Sequence, residues 1–228
     1  WGVSHSVMKH ITLPLVALLL STPALATEPA RDLAWEITEG LTTEVGQRQA
    51  GTEAESRARD WAVAKLKSLG LKNVRIEPYM MPTWVRGAET ASVIAPVPHK
   101  LAITALGNSG ATAAAGLEGD VILYSSFDAF KAAPVGEAKG KIVYVGHAMR
   151  RAQDGASYGH SGLVRRQGPN IAAKRGASAF IIRSIGTDGH RNPHTGNTNW
   201  EQGVMPIPSG AISNPDADLI ERLARLNK

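Results

Sequence analysis

Two histidines four residues apart, His190 and His194, are the first residues whose type and spacing could do chemistry. On one face of a helix that spacing lets two imidazoles share a zinc ion. Here Arg191-Asn192-Pro193 lies between them, and proline directly before the second histidine breaks the helix that would align the rings. Asp188 is near, but no third ligand stands out, so a polar loop is the plainer reading. Ser161, within Gly159-His160-Ser161-Gly162, has the look of a nucleophile elbow. That turn needs one residue on each side of the serine before the flanking glycines, and an apolar strand ahead of it; the segment has neither. Gly136 to Lys141 hints at a phosphate loop but is too short, and Ile142 stands where a Mg²⁺-binding hydroxyl is needed. A turn leading into a strand is expected there. No histidine is followed two residues later by aspartate, and there is no Asp-Asp or Glu-Glu pair. The imidazoles and carboxylates that hold two metal ions in a hydrolase do not gather in this sequence. No catalytic, cofactor-binding or metal-binding residue is assigned.

The elements that would position such groups are easier to read. Leu33, Ile37 and Leu41 recur every four residues, which predicts a helix ending near Gly46. Thr52 and Glu55 have the spacing of a capping box, and Ala54, Ala58, Trp61, Ala62, Leu66 and Leu69 make one apolar stripe behind it. Gly70 supplies a left-handed stop. Asn73 to Tyr79 alternates like a strand. From about residue 90 the chain reads as short strands between glycines: 92–97, 101–106, 120–124, 141–145, 179–185 and 207–212. One helix is expected from Pro169 to Arg175, with proline in its first turn and Gly176 closing it. A final helix is capped by Asn214, with Pro215 first, and buries Leu219, Ile220, Leu223 and Leu226.

Composition narrows the classes. With 43% hydrophobic residues in 228, most of the chain can bury a core. There is no cysteine, so neither disulfides nor thiolate metal sites are available. The net charge of +5 is spread thinly: Arg150-Arg151, Arg165-Arg166 and Lys174-Arg175 are the basic doublets, and aromatics are 5%. A nucleic-acid binder wants a clustered basic face with stacking rings, so no nucleic-acid partner is expected. Met8-Lys9-His10, the apolar run Ile11 to Leu20, and Ala24 and Ala26 form an export signal, with cleavage expected after Ala26. The expected location is periplasmic or secreted, with no stable membrane anchor after cleavage. Residues 1–7 are expected to precede the true initiator, Met8.

Two further stretches carry a resemblance. Gly140-Lys141-Ile142-Val143-Tyr144-Val145, the segment Asn170 to Ala177 and the strand Ala179-Phe180-Ile181-Ile182 look like a protease-associated domain. Around them, Glu77-Pro78-Tyr79, Pro82 to Glu89, Ser125-Ser126-Phe127-Asp128, Ile182-Arg183-Ser184, His194-Thr195-Gly196 and Gly203-Val204 to Pro208 fall in the order seen in carboxypeptidase Q-like metallopeptidases. The similarity runs from about Leu33 to the end. Gln47 and Gln49 depart from it, standing where such proteins tend to carry proline and leucine.

The resemblance implies an α/β fold: the start of an α/β zinc-peptidase domain, its opening helices and first strand, with an inserted β-rich protease-associated domain. Residues 1–26 would be the signal peptide (with its upstream extension, 1–7), 27–90 the opening helices and first strand, 91–213 the protease-associated domain, and 214–228 a returning helix. It implies a secreted di-zinc exopeptidase, of dipeptidase or carboxypeptidase type, acting on short peptides. The zinc ligands would lie after Lys228, so zinc is expected in the full-length parent and none on this fragment, which should be inactive alone. A homodimer is compatible with the sequence. His194, in the polar loop 190–199, is the residue singled out as facing the cleft. The rival reading is a stand-alone exported module that binds peptides or proteins without catalysis. A third is a fragment that folds poorly, with the stripe of residues 54–69 exposed.

Overall fold

Asp32 opens the part of the chain that the structure, a computed structural model, describes: residues 32–227. The predicted export segment and its cut site lie outside them. The chain divides into two units, one up to Tyr79 and one from Met80 onward.

In the first unit the Asp32 carboxylate accepts the N–H of Trp35 (3.1 Å) and starts helix α1, Leu33–Gly40. The hydroxyls of Thr38, Thr42 and Thr43 bond back to carbonyls one turn earlier. Such bonds loosen a helix, and α1 widens into a π-helical turn, Leu41–Val45, ended by Gly46 at φ 75°. Helix α2, Glu53–Ser68, starts where its cap predicts, with the Thr52 hydroxyl accepting the N–H of Glu55. The reciprocal half of the capping box does not form. The Glu55 carboxylate pairs with Arg59, and the Thr52 N–H donates to Gln49. The end is a Schellman turn: Leu71 N–H bonds Leu66 C=O, and Gly70 N–H bonds Lys67 C=O. Gly40 is buried because the Trp61 ring fills the space a Cβ would need, 2.3 Å from Cζ2. Trp61 also donates to Glu44 (3.1 Å), and Lys65 pairs with Glu36 (2.8 Å). The α2 stripe is nonetheless only half covered: no residue of α2 is buried.

Residues 73–79 form no strand, and Asn73 sits in a bend at φ 59°, which corrects the predicted first strand. Alternation makes a strand possible; hydrogen bonds to a neighbour make it one, and no partner stands beside it among the described residues.

The second unit holds a small antiparallel pair, β1 (Ala91–Val93) with β2 (His99–Leu101), and a five-stranded sheet. The sheet contains β3 (Ile103–Ala105), β4 (Val121–Tyr124), β5 (Ile142–Val145), β6 (Ala179–Arg183) and β7 (Ser209–Ile212), in the order β3-β7-β6-β5-β4. All its pairings are parallel except β3 with β7. Helices α3 (Phe127–Ala132) and α4 (Tyr158–Lys174) cover one face, and α5 (Asn214–Arg225) the other. Strand β5 shows the period: Val143 and Val145 enter the core with Phe127, Phe130, Val164 and Phe180, while Tyr144 turns to Ile212 and Ala217. A fully buried side chain of this size contributes about 1.5–3 kcal/mol. The edge strand β3 is capped by side chains. The Ala105 N–H donates to Glu89 (2.9 Å), and the Ala105 carbonyl accepts from Arg86 (2.8 Å), which is itself paired with Glu89. Edge groups satisfied in this way offer no template to another strand.

Two helix predictions need correcting, and one helix has no counterpart in the sequence reading. Helix α3, capped by the Ser126 hydroxyl, was not foreseen; it is barely two turns long. The cap of α5 is Ser213, whose hydroxyl accepts from Asp216 N–H, one residue before the predicted Asn214. The helix expected from Pro169 begins at Tyr158 instead, with Pro169 inside it. Proline mid-helix strips the carbonyl four residues back of its partner. That carbonyl, on Arg165, accepts from the buried Thr198 hydroxyl (3.1 Å), and the next, on Arg166, accepts from Asn199 N–H (3.3 Å). The Thr198 hydroxyl thus supplies from outside the bond the helix lacks. Gly168 lets α4 lie close on the sheet, since a Cβ there would come 2.3 Å from Phe180 Cζ.

Candidate functional site

The carboxyl ends of β5 and β6 open into two loops, residues 146–157 and 184–208, and crevices at such ends are where open α/β sheets receive ligands. Between these loops and the first turns of α4 and α5 lies an open depression of about 390 Å³. Met149, Tyr158, Ser184, Asp188, His194 and Asn214 are among its walls. A second depression beside it shares Met149, Asp188 and Asn214 and adds Arg151 and Arg183.

Each wall residue is held by local chemistry. The backbone N–H of His194 donates to the Ser184 hydroxyl (2.6 Å), which ties the loop to the end of β6. Farther along, Gly107 N–H bonds Gly196 C=O, Thr198 N–H bonds Gly107 C=O, and Trp200 donates to Asn108 C=O. The loop is therefore anchored along residues 194–200, although His194, like His190 and Asn192, keeps an exposed surface. Asn214 bonds the carbonyls of Gly186 and Asp188 and closes the floor toward α5.

Behind the wall sits Arg165 on α4, 8% exposed. Its guanidinium donates to His194 Nδ1 (3.1 Å), to Thr195 C=O (2.8 Å) and to the Tyr158 hydroxyl (2.7 Å). It also lies 5.3 Å from the centre of the Tyr158 ring, which meets the His194 ring in a T-shaped contact at 5.9 Å. Gly196 makes room, because a Cβ there would fall 2.7 Å from the Arg165 Cζ. Burial, with the Arg165 charge second, holds the His194 imidazole below the ordinary histidine range.

A second group of polar side chains lies at the same end of the sheet. The Ser161 hydroxyl is 3.3 Å from His147 Nε2, and the His147 and His160 rings are 5.4 Å apart. Burial, then the charge of His160, lowers the His147 pKa, against a smaller pull from Asp128. Asp128 is engaged by Lys131 at 2.7 Å, and Ser161 is 2% exposed. A nucleophilic serine needs a base oriented by a third group and room for a substrate; Ser161 has the imidazole and lacks the room. Gly136 to Lys141 forms the tight turn into β5, with Gly140 at φ 71° and its N–H on Gly176 C=O.

His190 and His194 do not converge. His190 Nδ1 accepts from Asn192 N–H (3.2 Å), and its Nε2 faces Asp188 at 3.7 Å. His194 Nδ1 is taken by a permanent cation. Among the described residues no three His, Asp or Glu side chains come together as a metal ion requires. The residues present therefore do not fit zinc, and none is assigned to it. Of the depression's polar residues, the sequence pointed to His190 and His194, with Asp188 near them. Tyr158, Ser184 and Arg165 were missed, and so was His147 beside them, because no spacing links residues that only the sheet topology brings together.

No protein-family model matches the chain. Carboxypeptidase Q of Bos taurus is 36% identical over 184 residues, and that of Homo sapiens 35% over the same length. Each match covers 81% of this chain and 38% of the relative, so the chain spans well under half of the curated relatives' length. Among solved structures, a peptidase M28 precursor from Shewanella amazonensis SB2B superposes with a TM-score of 0.80 at 44% identity, over 86% of this chain and 44% of that one. A zinc aminopeptidase from Bacillus subtilis shares the fold, with a TM-score of 0.56 at 20% identity over 82% of this chain. Among the described residues no helix is long and apolar enough to cross a membrane. Over four-fifths of its length the chain is similar to carboxypeptidase Q, and its α/β fold matches part of a peptidase M28 precursor.

Proposed function

We propose that the chain is the N-terminal portion of a secreted zinc-dependent exopeptidase of dipeptidase or carboxypeptidase type, acting on short peptides. The supporting observation is the match to the M28 precursor, 44% identity and TM-score 0.80 across 86% of this chain but only 44% of the other. On this reading residues 27–90 belong to the peptidase domain and 91–213 to a protease-associated domain. Zinc would be held by residues outside this chain and would supply Lewis-acid chemistry for peptide hydrolysis. The chain's own contribution is to shape and wall the cleft, with the loop around His194 as one wall. The test is hydrolysis of unmodified dipeptides by the longer protein that carries this sequence. Cleavage that stops with a zinc chelator and returns with zinc is expected; a longer protein that binds no zinc and cleaves no dipeptide overturns the reading.

One observation favours the second reading, an exported binding module without catalysis. The sheet from Met80 onward has helices on both faces and its own buried core.

A further inference from the structure

Arg165 carries a full positive charge at 8% exposure, and every partner it has in the structure is neutral: an imidazole, a carbonyl and a phenol. No carboxylate lies within ion-pairing distance of it among the described residues. By contrast Arg183, whose side chain is 11% exposed, pairs with both Asp218 and Glu221. Buried charge is costly unless a counter-charge comes close.

The bonds Arg165 makes fix protons on its neighbours. Guanidinium donates and never accepts. His194 Nδ1 must therefore be the unprotonated nitrogen, which leaves the ring proton on Nε2. The Tyr158 oxygen accepts from Arg165, so its own O–H remains to donate. His194 and Tyr158 both line the depression, and Arg165 stands behind both. The result is two neutral donors backed by one buried cation, an arrangement suited to an anionic acceptor. Of the charged groups at this end of the sheet, Asp188 opposes an anion and has His190 beside it, while Arg151 lines the adjoining depression.

We propose that this depression binds a carboxylate, received by His194 Nε2–H and Tyr158 O–H with Arg165 as the buried counter-charge. Two sources carry that chemistry, the free C-terminus of a short peptide and an acidic side chain. The site depends only on residues of this chain, so its failure leaves the peptidase reading standing.

The experiment is an NMR titration of the full chain with three probes. These are N-acetyl-Gly-Gly with a free C-terminus, its C-terminal amide, and a glycine peptide amide with one internal glutamate. The expected result is that one or both acids shift the His194 and Tyr158 signals and the neutral amide does not; which acid acts identifies the source. Tyr158→Phe and His194→Ala should each weaken that binding about tenfold or more. Arg165→Met tests the counter-charge. Should that variant fail to fold, long-range proton–nitrogen correlations of the His194 ring in the unaltered chain decide instead, where a proton on Nε2 and a bare Nδ1 are expected. Equal binding of the amide, no shift with any probe, or a proton on Nδ1 overturns the proposal.

Discussion

His147 and His194 carry the clearest consequence of their surroundings for single residues. Burial holds both imidazoles below the ordinary histidine range, with His160 adding to the first and Arg165 to the second. In the unfolded chain both titrate near pH 6.5. As pH falls below that value, the unfolded chain takes up protons that the folded chain refuses, so stability present above about pH 6.5 is lost as pH drops through the depressed folded values. Urea unfolding midpoints should therefore be lower at pH 5 than at pH 7.5, with part of the difference removed in His194→Gln. Equal midpoints would contradict the burial argument. At this scale the sequence was a partial guide. It pointed to His194 through a loop of polar residues, but Arg165 read as half of an ordinary basic doublet. A doublet says nothing of which arginine points inward; Gly196, thirty-one residues on, is what makes the space.

Helix α4 and the segment that mends it behave as one element. Thr198→Val keeps the side-chain shape and removes the donor to the Arg165 carbonyl, leaving that oxygen buried without its bond. We expect a loss of about 1–3 kcal/mol in denaturant unfolding. In a Pro169→Ala background the residue at 169 regains an N–H for the same carbonyl, so the cost of Thr198→Val should shrink. An unchanged cost would mean the hydroxyl is not the proline's compensation. Gly168→Ala places a methyl 2.3 Å from Phe180 Cζ and should destabilise by about 1–3 kcal/mol through overpacking. The elements themselves were legible where local chemistry decides them: the Thr52 cap, the Gly70 stop, and the short strands of the sheet, whose observed bounds fall inside or beside those predicted. They were illegible where distant chain decides them. Pro169 is a first-turn residue by local rules but sits mid-helix, where Thr198 supplies the partner that the Arg165 carbonyl lacks. Residues 73–79 have a strand's alternation and no neighbour to pair with.

For the molecule as a whole, two units with different degrees of burial account for what the chain can do. From Met80 onward both faces of the sheet are covered. Up to Tyr79, by contrast, Trp35 is 64% exposed, Leu69 42% and Tyr79 78%, and no residue of α2 is buried. Exposed apolar surface on this scale marks a binding face or a liability. On the proposed reading it packs against the rest of a peptidase domain. Leu66→Lys on α2 and Leu69→Lys at its C-cap should then raise the solubility of this chain alone and impair folding of the longer protein. If both proteins respond alike, the face has no such partner.

The central claim is that these residues wall a peptidase cleft without containing its reaction centre. It is tested most directly by measuring bound zinc and dipeptide hydrolysis side by side, on this chain and on the longer protein. The account predicts stoichiometric zinc and chelator-sensitive cleavage in the longer protein, and neither in this chain. Metal-dependent hydrolysis by this chain on its own would contradict it.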